Sequence, residues 1–183
     1  MKRTIQTCQL AFAPAVARGH KILLVPLAQE ASDTLMDTGS SESSIRETFG
    51  DLVDTTRLEL FPYWHTNSGR FSVEGHTLIQ RAQLLRQTLR ARAEKHIALV
   101  SHGSFAHYVV GNVSGDGEEQ TSRMWSNTEW RTFEFAAEGD EEAQLVETEE
   151  SVKRRPDLEE EESGYVLSVD GPRKDGEGNV MAN

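Results

Sequence analysis

His96-Ile97-Ala98-Leu99-Val100-Ser101-His102-Gly103-Ser104-Phe105 carries the pattern around which the rest of the chain is organised. Its first five residues read as a buried strand, and Ser101 to Ser104 as the turn that follows. Gly103 lets the backbone turn tightly, and Phe105 to Val110 starts a helix that Gly111 stops. His102 is therefore expected between a strand and a helix, at the carboxyl end of a sheet. That is the edge where open α/β sheets bind their ligands.

Upstream, Thr4 to about Val16 reads as a helix, with Ile5, Cys8 and Phe12 at helical spacing. Gly19 ends it, and Lys21-Ile22-Leu23-Leu24-Val25 follows as a second buried strand that Pro26 closes. From Leu27 to Asn67 the pattern is irregular, with a short helix expected over Ser41 to Phe49. The clearest helix runs from about Glu74 to Ala93. Leu78, Ala82, Leu85 and Leu89 form its apolar stripe, with Arg81, Arg86, Arg90 and Arg92 expected mainly on the other faces. Trp130 to Phe135 alternates like a strand, and Ala143 to Glu147 is expected to pair with it as an edge hairpin. Helix–strand–helix–strand–helix order predicts an α/β domain, a mostly parallel sheet with helices on both faces.

The chain has 183 residues and a formal charge of −11. Residues 1–137 hold 15 acidic and 14 basic side chains, whereas residues 138–183 hold 15 and 5. A nearly neutral body argues against nucleic acid as a partner, because phosphate backbones need a basic surface. Glu159-Glu160-Glu161-Glu162 and the glycines after it predict an acidic tail, 154–183, that stays disordered. No stretch approaches the roughly 20 apolar residues of a membrane span, and no apolar signal core follows Met1-Lys2-Arg3. One cysteine, Cys8, excludes an internal disulfide framework and a multi-cysteine metal site. A cytoplasmic location is expected, with no membrane partner.

Three side chains are candidates for chemistry. His102, beside helix N–H groups, could hold an anion's oxygen or transfer a proton, and it reads equally as a polar turn residue. Arg3 opens the first helix, where a guanidinium could grip a phosphate bidentately. Glu30 follows the first strand and could serve as a general acid. Taken singly, Arg3 and Glu30 also read as ordinary surface residues.

Together, Arg3-Thr4-Ile5-Gln6-Thr7, Leu27-Ala28-Gln29-Glu30 and Leu99-Val100-Ser101-His102-Gly103 resemble the histidine phosphatase superfamily, the phosphoglycerate-mutase-like fold. Glu30-Ala31-Ser32-Asp33, Asp37-Thr38-Gly39-Ser40 and Trp125-Ser126-Asn127-Thr128-Glu129-Trp130-Arg131 are similar to motifs of its small fungal phosphatases. The resemblance covers roughly residues 1–153. It implies hydrolysis of small phosphate monoesters through a phosphohistidine, in a pocket of two arginines and two histidines. Arg3 matches the second arginine, His102 the second histidine, and Glu30 the proton-donor carboxylate. The catalytic candidates are thus His102 and Glu30, the phosphate-binding candidates Arg3 and His102, with no metal or organic cofactor.

The Arg-His-Gly motif, which supplies the family's nucleophile on its first strand, has no counterpart here. Arg18-Gly19-His20 has similar letters in another order and precedes a strand instead of following one. The resemblance therefore implies a domain, 1–153, truncated at its N-terminal strand, with weak or absent phosphatase activity. A central strand missing from the family's sheet would leave an open edge, through which the chain could form a homodimer. Two rivals stand beside this reading. One is a lyase- or isomerase-type acid–base enzyme using Glu30 and His102. The other is a non-catalytic pseudoenzyme that binds a phosphorylated or other anionic molecule. His65 and His76 lie near the irregular segment and could reach the pocket, while His107 is expected to pack. The loop from Asp33 to Asn67, with Phe61, Tyr63, Trp64 and His65, is expected to cover the site. Its aromatics read equally as a stacking surface and as a satellite core.

Overall fold

Secondary structure in the computed structural model, which describes residues 2–137 and 139–155, is mainly helical. Residues 1–147 form one unit and a second begins at Thr148. In the first, α1 (Lys2–Ala11) and α2 (Ala13–Ala17) replace the single N-terminal helix expected. Pro14 falls in the first turn of α2, where its missing N–H is harmless. In an unbroken helix its ring would clash with the carbonyl four residues back, which is why the chain breaks at Phe12.

Among the described residues the expected mostly parallel sheet with helices on both faces is not formed. Instead β1 (Ile22–Leu23) pairs in parallel with β2 (Val53–Asp54), Ile22 opposite Val53 and Leu23 opposite Asp54. Separately, β3 (Phe133–Phe135) pairs antiparallel with β4 (Leu145–Glu147), the hairpin the alternation predicted. Residues 96–100 belong to no strand, and Ile97 is exposed. An apolar run of five residues specifies burial at best. A ladder also requires an adjacent backbone, which periodicity cannot supply.

Helices and turns build the core. α3 (Glu42–Phe49) starts at Ser41, whose hydroxyl accepts the Ser44 N–H at 3.3 Å, and it buries Ile45. α4 (Gly75–Arg90) presents Leu78, Ala82 and Leu85 to α5 (Gly103–Val110) and to the tight turn Pro26–Ala28. Phe105 and Val109 of α5, Leu27 of that turn, and Ile5 of α1 complete the same cluster. Two arginines of α4 depart from the expected outward orientation, since Arg81 is 0% exposed and Arg86 8%. Arg86 spends its donors on backbone carbonyls, through Nε to Glu142 at 3.1 Å and Nη1 to Tyr108 and Val109 at 3.3 Å.

The long irregular segment is more core than cover. It contributes β2, Ile45, Leu58 and Trp64 to the buried cluster, while Tyr63 stays exposed. Gly39 lies against the Trp64 ring, so a Cβ there would sit 2.5 Å from it. In the second unit α6 (Glu149–Arg154) begins at Thr148, whose side chain accepts the Ser151 N–H at 3.3 Å. Acidic residues in its first turn and basic ones in its last suit the helix dipole. The tail predicted to be disordered lies, from residue 156 onward, outside the described residues.

Candidate functional site

Arg3, Glu30 and His102 meet, although 27 and 72 positions of chain separate them. Three short packings bring them together. α1 buries Ile5 and so brings the neighbouring Arg3 to the core's edge. The turn Pro26–Ala28, fully buried, delivers Gln29 and Glu30. His102 is the residue that opens α5, with an extended backbone at φ −130° and ψ 151°. Ser101 anchors that junction by donating its hydroxyl to the Ala28 carbonyl at 2.9 Å.

Glu30 takes the amino end of α5. One carboxylate oxygen, Oε1, accepts the Phe105 N–H at 3.0 Å and the Ala31 N–H at 2.8 Å. Its other oxygen, Oε2, stands 3.9 Å from His102 Nδ1 and 4.0 Å from Arg3 Nη2. The helix's positive end, where a free anion would settle, is thus already occupied by a protein carboxyl. Burial raises the Glu30 pKa and nearby Asp37 adds to the rise, while the two amides and Arg3 work against it.

Arg3 Nη2 also faces His102 Nδ1, at 3.4 Å. A guanidinium only donates, so this contact requires an unprotonated Nδ1 and leaves the His102 proton on Nε2. Burial, with the positive charges of Arg3 and Arg81, lowers the His102 pKa to about 3, and the ring is neutral at pH 7. Arg3 is half exposed and has a tighter partner in Asp37, 2.6 Å from Nη2, while its Nη1 donates to the Met36 carbonyl at 3.0 Å. Burial alone would raise the Asp37 pKa, but the Arg3 bond and the Ser32 and Thr34 hydroxyls lower it.

Asp37 belongs to the Asp37-Thr38-Gly39-Ser40 motif, and nothing in its spacing announces its pairing with Arg3. Of the other histidines, His20 and His96 line the groove that His102 borders, whereas His65, His76 and His107 have other surroundings. His65 packs its edge on Trp64, with ring centroids 5.7 Å apart, and His76 is largely exposed beside Glu74. His107 is fully buried with Nδ1 3.2 Å from the Ser122 hydroxyl, the packing role expected. The Trp125–Arg131 motif forms a separate network, in which Arg131 covers the Trp125 ring at 3.9 Å and pairs with Glu129.

Beside the cluster runs an apolar groove of about 330 Å³ whose wall includes Cys8, Ile22, Leu24, Leu99, Gln29 and His102. The β1 segment and residues 96–100 both line it, and of the polar trio His102 borders this space, which could take an organic group. Among the described residues, no group of three or more His, Cys, Asp or Glu is placed to hold a metal ion. No helix among them is long and apolar enough to cross a membrane. Compared with known protein families, curated proteins and solved structures, the chain matches none.

Proposed function

We propose that Arg3, Glu30 and His102 hold a small phosphorylated or other anionic molecule, and that the chain hydrolyses phosphate monoesters weakly or not at all. The observation that supports this reading is the convergence, within 4.0 Å, of three residues from distant segments. Arg3 would neutralise an anion's charge, the His102 Nε2–H would donate to one of its oxygens, and Glu30 would supply a proton. The motif resemblance to histidine phosphatases points to the same ligand class. It also supports the low turnover proposed, because these 183 residues contain no Arg-His-Gly sequence to provide a nucleophile.

The first test is titration of inorganic phosphate into the full chain. Arg3→Ala should weaken binding by about tenfold or more, the loss of one charge-assisted bond. Phosphate release from an aryl phosphate should stay at the level of His102→Ala across roughly pH 5 to 8, a range spanning histidine titration. A histidine phosphorylated at one site, with release abolished in His102→Ala, would overturn the proposed inactivity.

A specific observation favours an acid–base enzyme as the second reading. A carboxyl whose pKa burial raises stands 3.9 Å from a neutral imidazole, a pairing suited to proton transfer. On that reading both Glu30→Gln and His102→Ala would abolish a lyase or isomerase turnover, with phosphate release at background throughout.

A further inference from the structure

A guanidinium of α4 is completely enclosed and incompletely satisfied. Arg81 is 0% exposed, and its Nη2 donates to the Gln29 carbonyl at 3.0 Å and the Glu30 carbonyl at 2.9 Å. Its Nε and Nη1 have no hydrogen-bond partner. The guanidinium carbon sits 4.3 Å from the centroid of the Phe105 ring. Burying such a group is costly, and an apolar side chain of similar volume often serves stability as well or better. Stability alone therefore gives little reason for an arginine here.

Its contacts supply a reason. Arg81 holds the backbone of the residue that bears the cluster's carboxyl. It also covers the ring of Phe105, whose amide donates to that carboxyl. The three contacts close a ring through α4, the Gln29–Glu30 corner and the start of α5. We propose that Arg81 is a positioning residue: it locks this corner against α5, and so sets where the Glu30 carboxyl stands and how readily it holds a proton. This rests on the reading of the cluster as an anion site with Glu30 as its acid.

Glu30 is faced from every side by charged or polar groups. Arg3 approaches from α1, His102 and the Phe105 amide from α5, Asp37 and the Ala31 amide from the following loop, and Arg81 from α4. Arg81 is the cation among them that solvent does not reach, and it is tied to Glu30 through that residue's carbonyl. The nearby Glu30 charge in turn favours its protonated form, although burial lowers its pKa to about 10.

The test is an NMR titration of the Glu30 carboxyl in the full 183-residue chain. Arg81→Gln keeps one donor but removes the charge, and the Glu30 midpoint should rise by about one pH unit. Arg81→Lys keeps the charge but lacks the planar fork, and should raise it by about half a unit. A merely structural role would lower the urea midpoint of both variants and leave the titration of the folded protein unmoved, which overturns the proposal. Should Arg81→Gln not fold, the half-unit rise in Arg81→Lys decides alone. The titration uses no phosphate. A midpoint that follows Arg81 in a protein that binds no phosphate would keep this role and discard the anion site.

Discussion

Two charge clusters in this molecule use the same residue types and differ in nearly everything else. Around Glu129, Arg123 donates at 2.9 and 3.1 Å, Arg131 Nε at 2.7 Å and the Ser126 N–H at 2.8 Å, all from one nine-residue stretch. Around Glu30, the neutral His102 ring and the Arg3 guanidinium stand at 3.9 and 4.0 Å and come from distant parts of the chain. The first carboxylate is saturated. Burial alone would raise its pKa, but Arg123, the Ser126 amide and Arg131 pull it down to about 2. The second has no short bond to a cation, and its pKa goes up. A saturated carboxylate holds structure together and leaves neither oxygen open to a new donor. A loosely spaced one, assembled by tertiary packing beside an open groove, keeps room for a ligand.

The most severe way to probe this contrast is to remove the saturated carboxylate. Glu129→Gln would leave two guanidiniums, one of them on Trp125, without their anion. Breaking a mostly buried pair in this way typically costs about 3 kcal/mol, and a fall of that size is expected in urea unfolding. Phosphate binding by the folded fraction should not change. A Glu129→Gln protein of native stability would mean that the local network is ornamental and that the contrast between the clusters fails.

A middle-sized effect concerns His102 and proton linkage. In the unfolded chain its pKa is near the ordinary 6.5, whereas in the fold it drops to about 3. The native state thus binds no proton there while the unfolded state does, so this contribution is complete above pH 6.5 and is lost as pH falls toward 3. Glu30 acts in the opposite direction. Its raised pKa favours the fold at low pH, and that contribution is lost as pH rises through its folded value. Comparison with His102→Gln isolates the histidine. From pH 7 to 5.5 the wild type should lose about 1 kcal/mol more than the variant. Parallel pH profiles would show that His102 is not held neutral, and would remove its Nδ1 as acceptor for Arg3.

Much of the cluster was legible without the fold that was meant to explain it. Arg3, Glu30 and His102 were expected together because of the motif resemblance, with Glu30 and His102 placed at the edge of a parallel sheet and Arg3 at the start of the first helix. They do meet, but α1, the Pro26–Ala28 turn and α5 carry them there by packing around α4 and its neighbours. α4 was legible because its stripe repeats at helical spacing. The sheet was misjudged because residues 96–100 have strand composition, while pairing depends on a neighbouring backbone that composition does not encode. Arg81 was misjudged for another reason. It lies three residues after Leu78 and four before Leu85, squarely on the apolar stripe, but a charged side chain is ordinarily assigned to water.

The finest distinction between the clusters lies in Asp37. It bonds Arg3 at 2.6 Å and takes a second bond from the Thr34 hydroxyl at 2.9 Å, so the guanidinium that should greet a ligand is already engaged. An incoming anion must compete with this carboxylate or displace it. Arg3 is half exposed, so water and salt screen the pair, and such pairs contribute about 1 kcal/mol or less. Asp37→Asn keeps the side chain's shape while removing its charge. Phosphate should then bind about threefold tighter, with stability within about 0.5 kcal/mol of wild type. The gain should shrink as salt rises, because it comes from a solvent-facing charge. Weaker binding in Asp37→Asn would reverse the assignment: Asp37 would be holding Arg3 in its binding posture, and the Arg3–Asp37 pair would belong with the saturated network around Glu129.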